Sequence, residues 1–143
     1  MRREFRILAS SLLFVLPLAI VAVRADDVTG ADKLLCASAQ LSACFDDGEC
    51  MPLPPSAVKV PPFILVDLAG KKLSTTPASG EDRVTPIRNI ERADGRIILQ
   101  GVERGRAFSL LIDEASGALT AAVARDGVGV VVFGNCTPAP AAR

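Results

Sequence analysis

Apolar and polar positions alternate in short runs over the second half of the chain, and turn residues close each run. Phe63-Ile64-Leu65-Val66-Asp67-Leu68 reads as a strand ended by Ala69-Gly70, and Lys71 to Ser74 as a short return. Thr75 to Asp82 carries Pro, Ser and Gly and reads as a surface loop. Arg83 to Arg92 is a weaker strand candidate, which Pro86 puts at a sheet edge or breaks near its start, because proline brings no amide to a ladder. Ala93-Asp94-Gly95 supplies a hairpin turn into Ile97-Ile98-Leu99-Gln100, followed by a polar connection from Gly101 to Gly105. In Ala107 to Asp113 the residues Phe108, Leu110 and Ile112 share a face, and in Leu119 to Ala124 so do Leu119, Ala121 and Val123. Glu114 to Gly117 and Asp126-Gly127 are the turns that follow these two runs. Val128 to Phe133 is apolar on both faces, which predicts a strand buried on both sides. Evenly spaced strands with glycine-containing turns define an antiparallel meander, either a small barrel or a curved sheet.

The first half has a different rhythm. From Asp26 to Phe45, Ala31, Leu34, Leu35, Ser38, Leu41 and Phe45 fall on one face at helical spacing, and Thr29 with Asp32 makes a start like a capping box. This predicts one N-terminal helix packed on the sheet. Five prolines between Met51 and Pro62 then remove donors and lock φ, so an extended connector is expected there, with no helix and no central strand. A docking motif built on Pro52 and Pro55 is the functional reading of the same stretch.

Residues 1–25 stand apart. Basic residues precede an apolar run from Ile7 to Val23, and Val23-Arg24-Ala25 suits a signal peptidase, so the stretch reads as a signal peptide, with an uncleaved anchor as the alternative. Arg2-Arg3 also hints at twin-arginine export. The leader takes four arginines and one glutamate from 16 basic and 16 acidic residues, leaving 12 against 15. A slightly acidic remainder argues against a nucleic-acid binder. Residues 26–138 suffice for a single domain, and residues 139–143 form a short flexible tail. Once the leader is cleaved, no stable membrane insertion is expected.

Four cysteines, Cys36, Cys44, Cys50 and Cys136, imply two disulfides in an exported chain, and the lack of histidine and of any C-x-x-C pair argues against zinc. The turn Asp46-Asp47-Gly48 sits midway between Cys44 and Cys50 and favours that pair, with Cys36 left for Cys136. On a helical wheel Cys36 points away from the packed face, which favours Cys36 with Cys50 and Cys44 with Cys136. Both pairings stay open here, with the first preferred. The expected fold is thus a mainly β meander with one N-terminal helix tethered by disulfides.

Catalytic groups are scarce. With no histidine, no tyrosine and all cysteines assigned to bridges, the usual nucleophile and base pairs are missing. Asp67, Asp113 and Glu114 remain, and the last two sit where a strand meets a turn, the place of a capping carboxylate. Asp46, Asp47 and Glu49 lack the alternation of a calcium loop. No cofactor is called for. Six arginines, Arg83, Arg88, Arg92, Arg96, Arg104 and Arg106, lie close in sequence, interleaved with Glu81, Asp82, Glu91, Asp94 and Glu103. Arg88 with Arg92 and Arg104 with Arg106 would share strand faces, and these four are the candidate partner-binding residues; a self-neutralised solvated face is the competing reading. The Ala, Gly and Val of the last two strands admit a hollow interior for an apolar ligand, or equally a sheet closed tightly on itself.

The stretches GRAFSLLID-x-x-SG-x-LT and VVFGNCTP, with the upstream Cys-x7-Cys-x5-Cys, resemble a group of small exported bacterial proteins of unknown function, over about Cys36 to Pro138. Phe108 stands where such proteins often carry tryptophan. The resemblance implies an envelope or periplasmic location and brings no activity and no site residues. Periplasmic lysozyme inhibitors offer an analogy at the level of small disulfide-bonded barrels, although a chain without tyrosine lacks the tyrosine loop of one major class. The expectation is a non-enzymatic module of the cell envelope that binds another macromolecule, with a carrier of a small apolar ligand as the alternative.

Overall fold

A computed structural model of the chain describes residues 26–140, and the expected signal peptide and the last three residues lie outside it. Ten antiparallel strands make one strongly curved sheet, a half-barrel. They are β1 (Lys33–Phe45), β2 (Cys50–Pro52), β3 (Phe63–Asp67), β4 (Lys72–Thr75), β5 (Val84–Pro86), β6 (Asn89–Ala93), β7 (Arg96–Glu103), β8 (Arg106–Asp113), β9 (Ala118–Arg125) and β10 (Val128–Pro138). The order around the sheet is β5-β4-β3-β1-β10-β9-β8-β7-β6, with β2 paired to the far half of β1. Strands β6 to β10 form the expected meander of hairpins.

The two edges of the sheet are successive parts of one segment. Pro86 ends β5, the Ile87 amide still donates to Lys71 O on the β4 side, and the Arg88 amide donates to Gln100 O on the β7 side. The break anticipated at Pro86 is therefore where the chain changes partners, and it leaves neither edge long and open.

The expected N-terminal helix is not formed. Lys33–Phe45 is instead a 13-residue strand, paired with β10 along its length and with β3 over Lys33 to Ala37. A bulge between Ser38 and Gln40 inserts one extra residue, and this explains the misreading. Leu34, Cys36 and Ser38 belong to the inner side before the bulge, and Leu41, Ala43 and Phe45 after it. The positions 34, 38, 41 and 45 thereby acquire a spacing of four, three and four, which is the helical signature.

Both disulfides join residues directly opposite in register: Cys36 with Cys136 across β1 and β10, and Cys44 with Cys50 across β1 and β2. The preferred pairing holds, and the wheel argument against it falls with the helix. The first bridge is fully buried and closes a separation of 100 residues, whereas the second closes 6 at the surface.

Four smaller expectations change. The connector holds a 3-10 turn at Pro55–Val58, short enough to start on a proline whose missing amide costs nothing there. Gly101 lies inside β7, and only Arg104-Gly105 turn, both with positive φ. The Phe108 ring lies against Gly101, where a β-carbon would collide with it. Strand β10 is buried on one side only, since Val131 and Phe133 are 38% and 48% exposed on the convex face. The chain also stays paired through Ala139, whose amide donates to Lys33 O.

Replacing Cys36 and Cys136 together by alanine should cost roughly 4–5 kcal/mol of unfolding free energy, and replacing Cys44 and Cys50 roughly 2 kcal/mol, if loop entropy dominates. Denaturant melts of the two double variants measure the difference, and equal losses would refute it. Gly134 faces the bulge so closely that a β-carbon would meet the Ala37 carbonyl oxygen. Gly134→Ala should therefore lower stability by about 1–3 kcal/mol with no change in denaturant slope.

Candidate binding cavity

The register places the inward side chains of the meander in rows that cross the strands. Ile97, Ile112 and Leu119 form one row, followed by Leu99, Leu110, Ala121, Val132 and Leu41. Next come Gly101, Phe108, Val123, Val130 and Ala43, and last Glu103, Arg106, Val128 and Phe45. Gly134 and Ser38 complete the first row, so bulk is greatest in the second, and charge appears in the fourth.

One end is filled. Val28, Leu34, Ile97 and Ile112 are completely buried there, and the Val28 amide donates to Glu114 O as the N-terminal segment crosses the β8–β9 turn. Arg92 Nε donates to the Glu114 carboxylate at 2.6 Å, with Glu114 only 8% exposed. This ion pair was not visible in sequence, because its partners lie 22 residues apart, Arg92 on β6 and Glu114 in the turn after β8, with β7 between those strands.

The other end keeps a cavity of about 150 Å³. Phe108, Leu110, Ala121, Val123, Val130 and Val132 form its floor, Ile64 and Leu73 one side, and Val58, Val60 and Pro61 of the connector a wall across it. The small side chain of Ala121 leaves space in this floor, whereas the space over Gly101 is taken by the Phe108 ring, and the connector covers the flank where β1 parts from β3. The sheet is thus neither a closed barrel nor packed solid throughout: it is a half-barrel with a cavity at one end.

Charged residues ring the mouth. Glu103 Oε1 accepts from Thr85 Oγ1 at 2.7 Å and lies 3.7 Å from Arg83 Nε, while Glu103 Oε2 lies 3.4 Å from Arg106. Arg83 also reaches Glu81 at 3.8 Å. Lys59 and Arg125 complete the lining, and among the described residues neither is within salt-bridge distance of a carboxylate. Arg125 had not been singled out in sequence; its only signal was its place one residue beyond the apolar face of β9.

The four candidate arginines do not form one patch. Arg92 is held at the filled end and Arg106 at the open end of β8, roughly 25 Å apart at the rise of an antiparallel strand. Arg104 occupies the β7–β8 turn, and Arg88 is exposed at the switch between β5 and β6. Arg92 and Arg106 are neutralised by carboxylates, as the self-paired reading supposed, although Glu114 rather than a neighbour in sequence serves Arg92.

Asp67, Asp113 and Asp47 act as turn caps, whereas Glu114, expected to do the same, pairs with Arg92 instead. Asp67 Oδ1 accepts from the Gly70 amide at 2.7 Å, and Asp47 Oδ1 from the Glu49 amide at 2.9 Å. Asp113 Oδ1 accepts from Ser116 Oγ at 2.7 Å and from the Ser116 amide at 3.0 Å, and these bonds, the hydroxyl's first, hold its pKa below the usual 3.8. Among the described residues no three metal-ligating side chains gather, and no helix is long and apolar enough to cross a membrane. Compared with protein-family models, with curated proteins and with solved structures, the chain matches none.

A depressed folded pKa means that Asp113 stabilises the fold fully above its unfolded pKa and stops doing so as the pH falls through the lowered folded value. Asp113→Asn should therefore lose less stability than the unmodified protein between pH ~5 and pH ~2, as read from thermal melts across that range. Parallel acid limbs for the two proteins would refute the assignment.

Proposed function

We propose that this chain is a non-enzymatic binding module of the periplasm or the extracellular space whose ligand places a small apolar group inside the half-barrel. One observation carries the reading: an apolar cavity open at one end of a fold whose other end is packed solid. Protein interiors are otherwise close-packed, and here Ala121 stands at an inward position that a larger apolar residue would fill. Two disulfides suit an oxidising compartment and keep the cavity walls fixed while it is empty. The carboxylates are committed to turn amides and arginines, which fits a binding role better than acid–base chemistry.

A macromolecular partner in the cell envelope is the second reading. It is favoured by the convex face, where exposed Phe133 and Leu111 lie in one cross-strand row with Thr120 and Ile98.

Protein-detected NMR with 1-hexanol and with benzene tests the first reading. Saturable shifts are expected at the methyl groups of Ala121, Val123, Val130 and Val132, and Ala121→Phe, which fills the space, should weaken binding by about tenfold or more. Shifts confined to the convex residues Val131 and Leu111 would overturn it and favour the second.

A further inference from the structure

We infer that the ligand is an anionic amphiphile, with its carboxylate or phosphate held at the mouth by Arg106 and Arg125; this rests on the cavity reading above. Four cations and one carboxylate line the cavity: Lys59, Arg83, Arg106 and Arg125 against Glu103. Arg106 is the first inward position of β8 and Arg125 the last of β9, one pair beyond Ala107↔Ala124, so the two guanidinium groups come from facing positions on adjacent strands. Like charges so placed repel unless an anion sits between them. Glu103 answers part of this charge from the β7 side, where it is already shared by Arg83, Arg106 and the Thr85 hydroxyl. Nothing comparable serves Arg125 among the described residues.

Directly below this charged row lie Phe108, Val123 and Val130, so the polar and apolar parts of one small molecule would meet matching surfaces in sequence. About five water volumes of space suit a single ring or a short alkyl chain, not a long lipid tail. Arginine is suited to the head group because its planar fork binds either anion through paired hydrogen bonds. Glu103 competes with the ligand for Arg106, which makes it a selectivity element: it weakens anion binding and keeps the arginines extended when the site is empty.

Calorimetric titration of the oxidised protein with hexanoate, hexyl phosphate, 1-hexanol and hexylammonium tests this. At least one of the two anions should bind about tenfold more tightly than 1-hexanol, as a charge-assisted pair predicts. The preferred one identifies the head group. The ratio of anion to alcohol affinity should fall towards unity in Arg106→Met and Arg125→Met, rise in Glu103→Gln, and stay unchanged in Arg88→Met, which is remote from the cavity. Added salt should narrow the ratio in the unmodified protein, a measurement that needs no variant. Equal affinities for anion and alcohol, or a preference for hexylammonium, would overturn the inference while leaving the cavity reading intact. Failure of all four compounds to bind would remove both.

Discussion

The pairing of β1 with β10 is the constraint on which the molecule depends. It joins the first strand to the last along their whole length, and the buried Cys36–Cys136 bridge ties that ladder at a register point. Closing so long a loop is entropically unfavourable in a chain of this size, and the covalent link removes much of that cost from the unfolded side. Without this contact the meander β6 to β10 would have an open edge at β10, and β1 with β3 to β5 would be a separate sheet.

The bulge in β1 gives this ladder its shape. One extra residue bends the strand and lets it serve two neighbours, β3 before the bulge and β2 after it. Between those neighbours the sheet has a gap, and the proline-rich connector lies across it with Val58 and Val60 turned to the interior. Prolines fit there for a physical reason: a segment that crosses a sheet instead of joining it has no ladder to supply with amides. The Ser38 hydroxyl, at the bulge, donates to Pro61 O and fixes the connector in place.

From this frame follows the asymmetry of the interior. Large side chains fill the end where the N-terminal segment crosses, and the Arg92–Glu114 pair seals its rim. Towards the other end the inward residues become charged, so the half-barrel resembles a cup with a polar lip. A cup of this kind stays open only if its walls hold without a filling, which is what the two bridges and the bent β5–β6 segment provide. The charged lip is likewise held in place by local bonds, with Glu103 anchored by Thr85 on the opposite strand.

Much of this was legible in the sequence. Alternation marked the strands from Phe63 onward, Gly and Asp marked their turns, Pro86 marked the break, and the Asp46-Asp47-Gly48 turn pointed to the Cys44–Cys50 bridge. These features are local, governed by the period of a strand and the φ preferences of turn residues, so a few neighbouring residues decide them. The tertiary structure alone decided the rest. It turned a helical spacing into a bulged strand, because only pairing with β10 over the full length can stabilise that conformation. It divided the arginines between two ends of one barrel, and it brought Arg125 to face Arg106. It also determined that a cavity stands over Ala121 and Val123 instead of a tight closure, since that depends on how far apart the opposite walls stand, and residues distant in sequence set that distance.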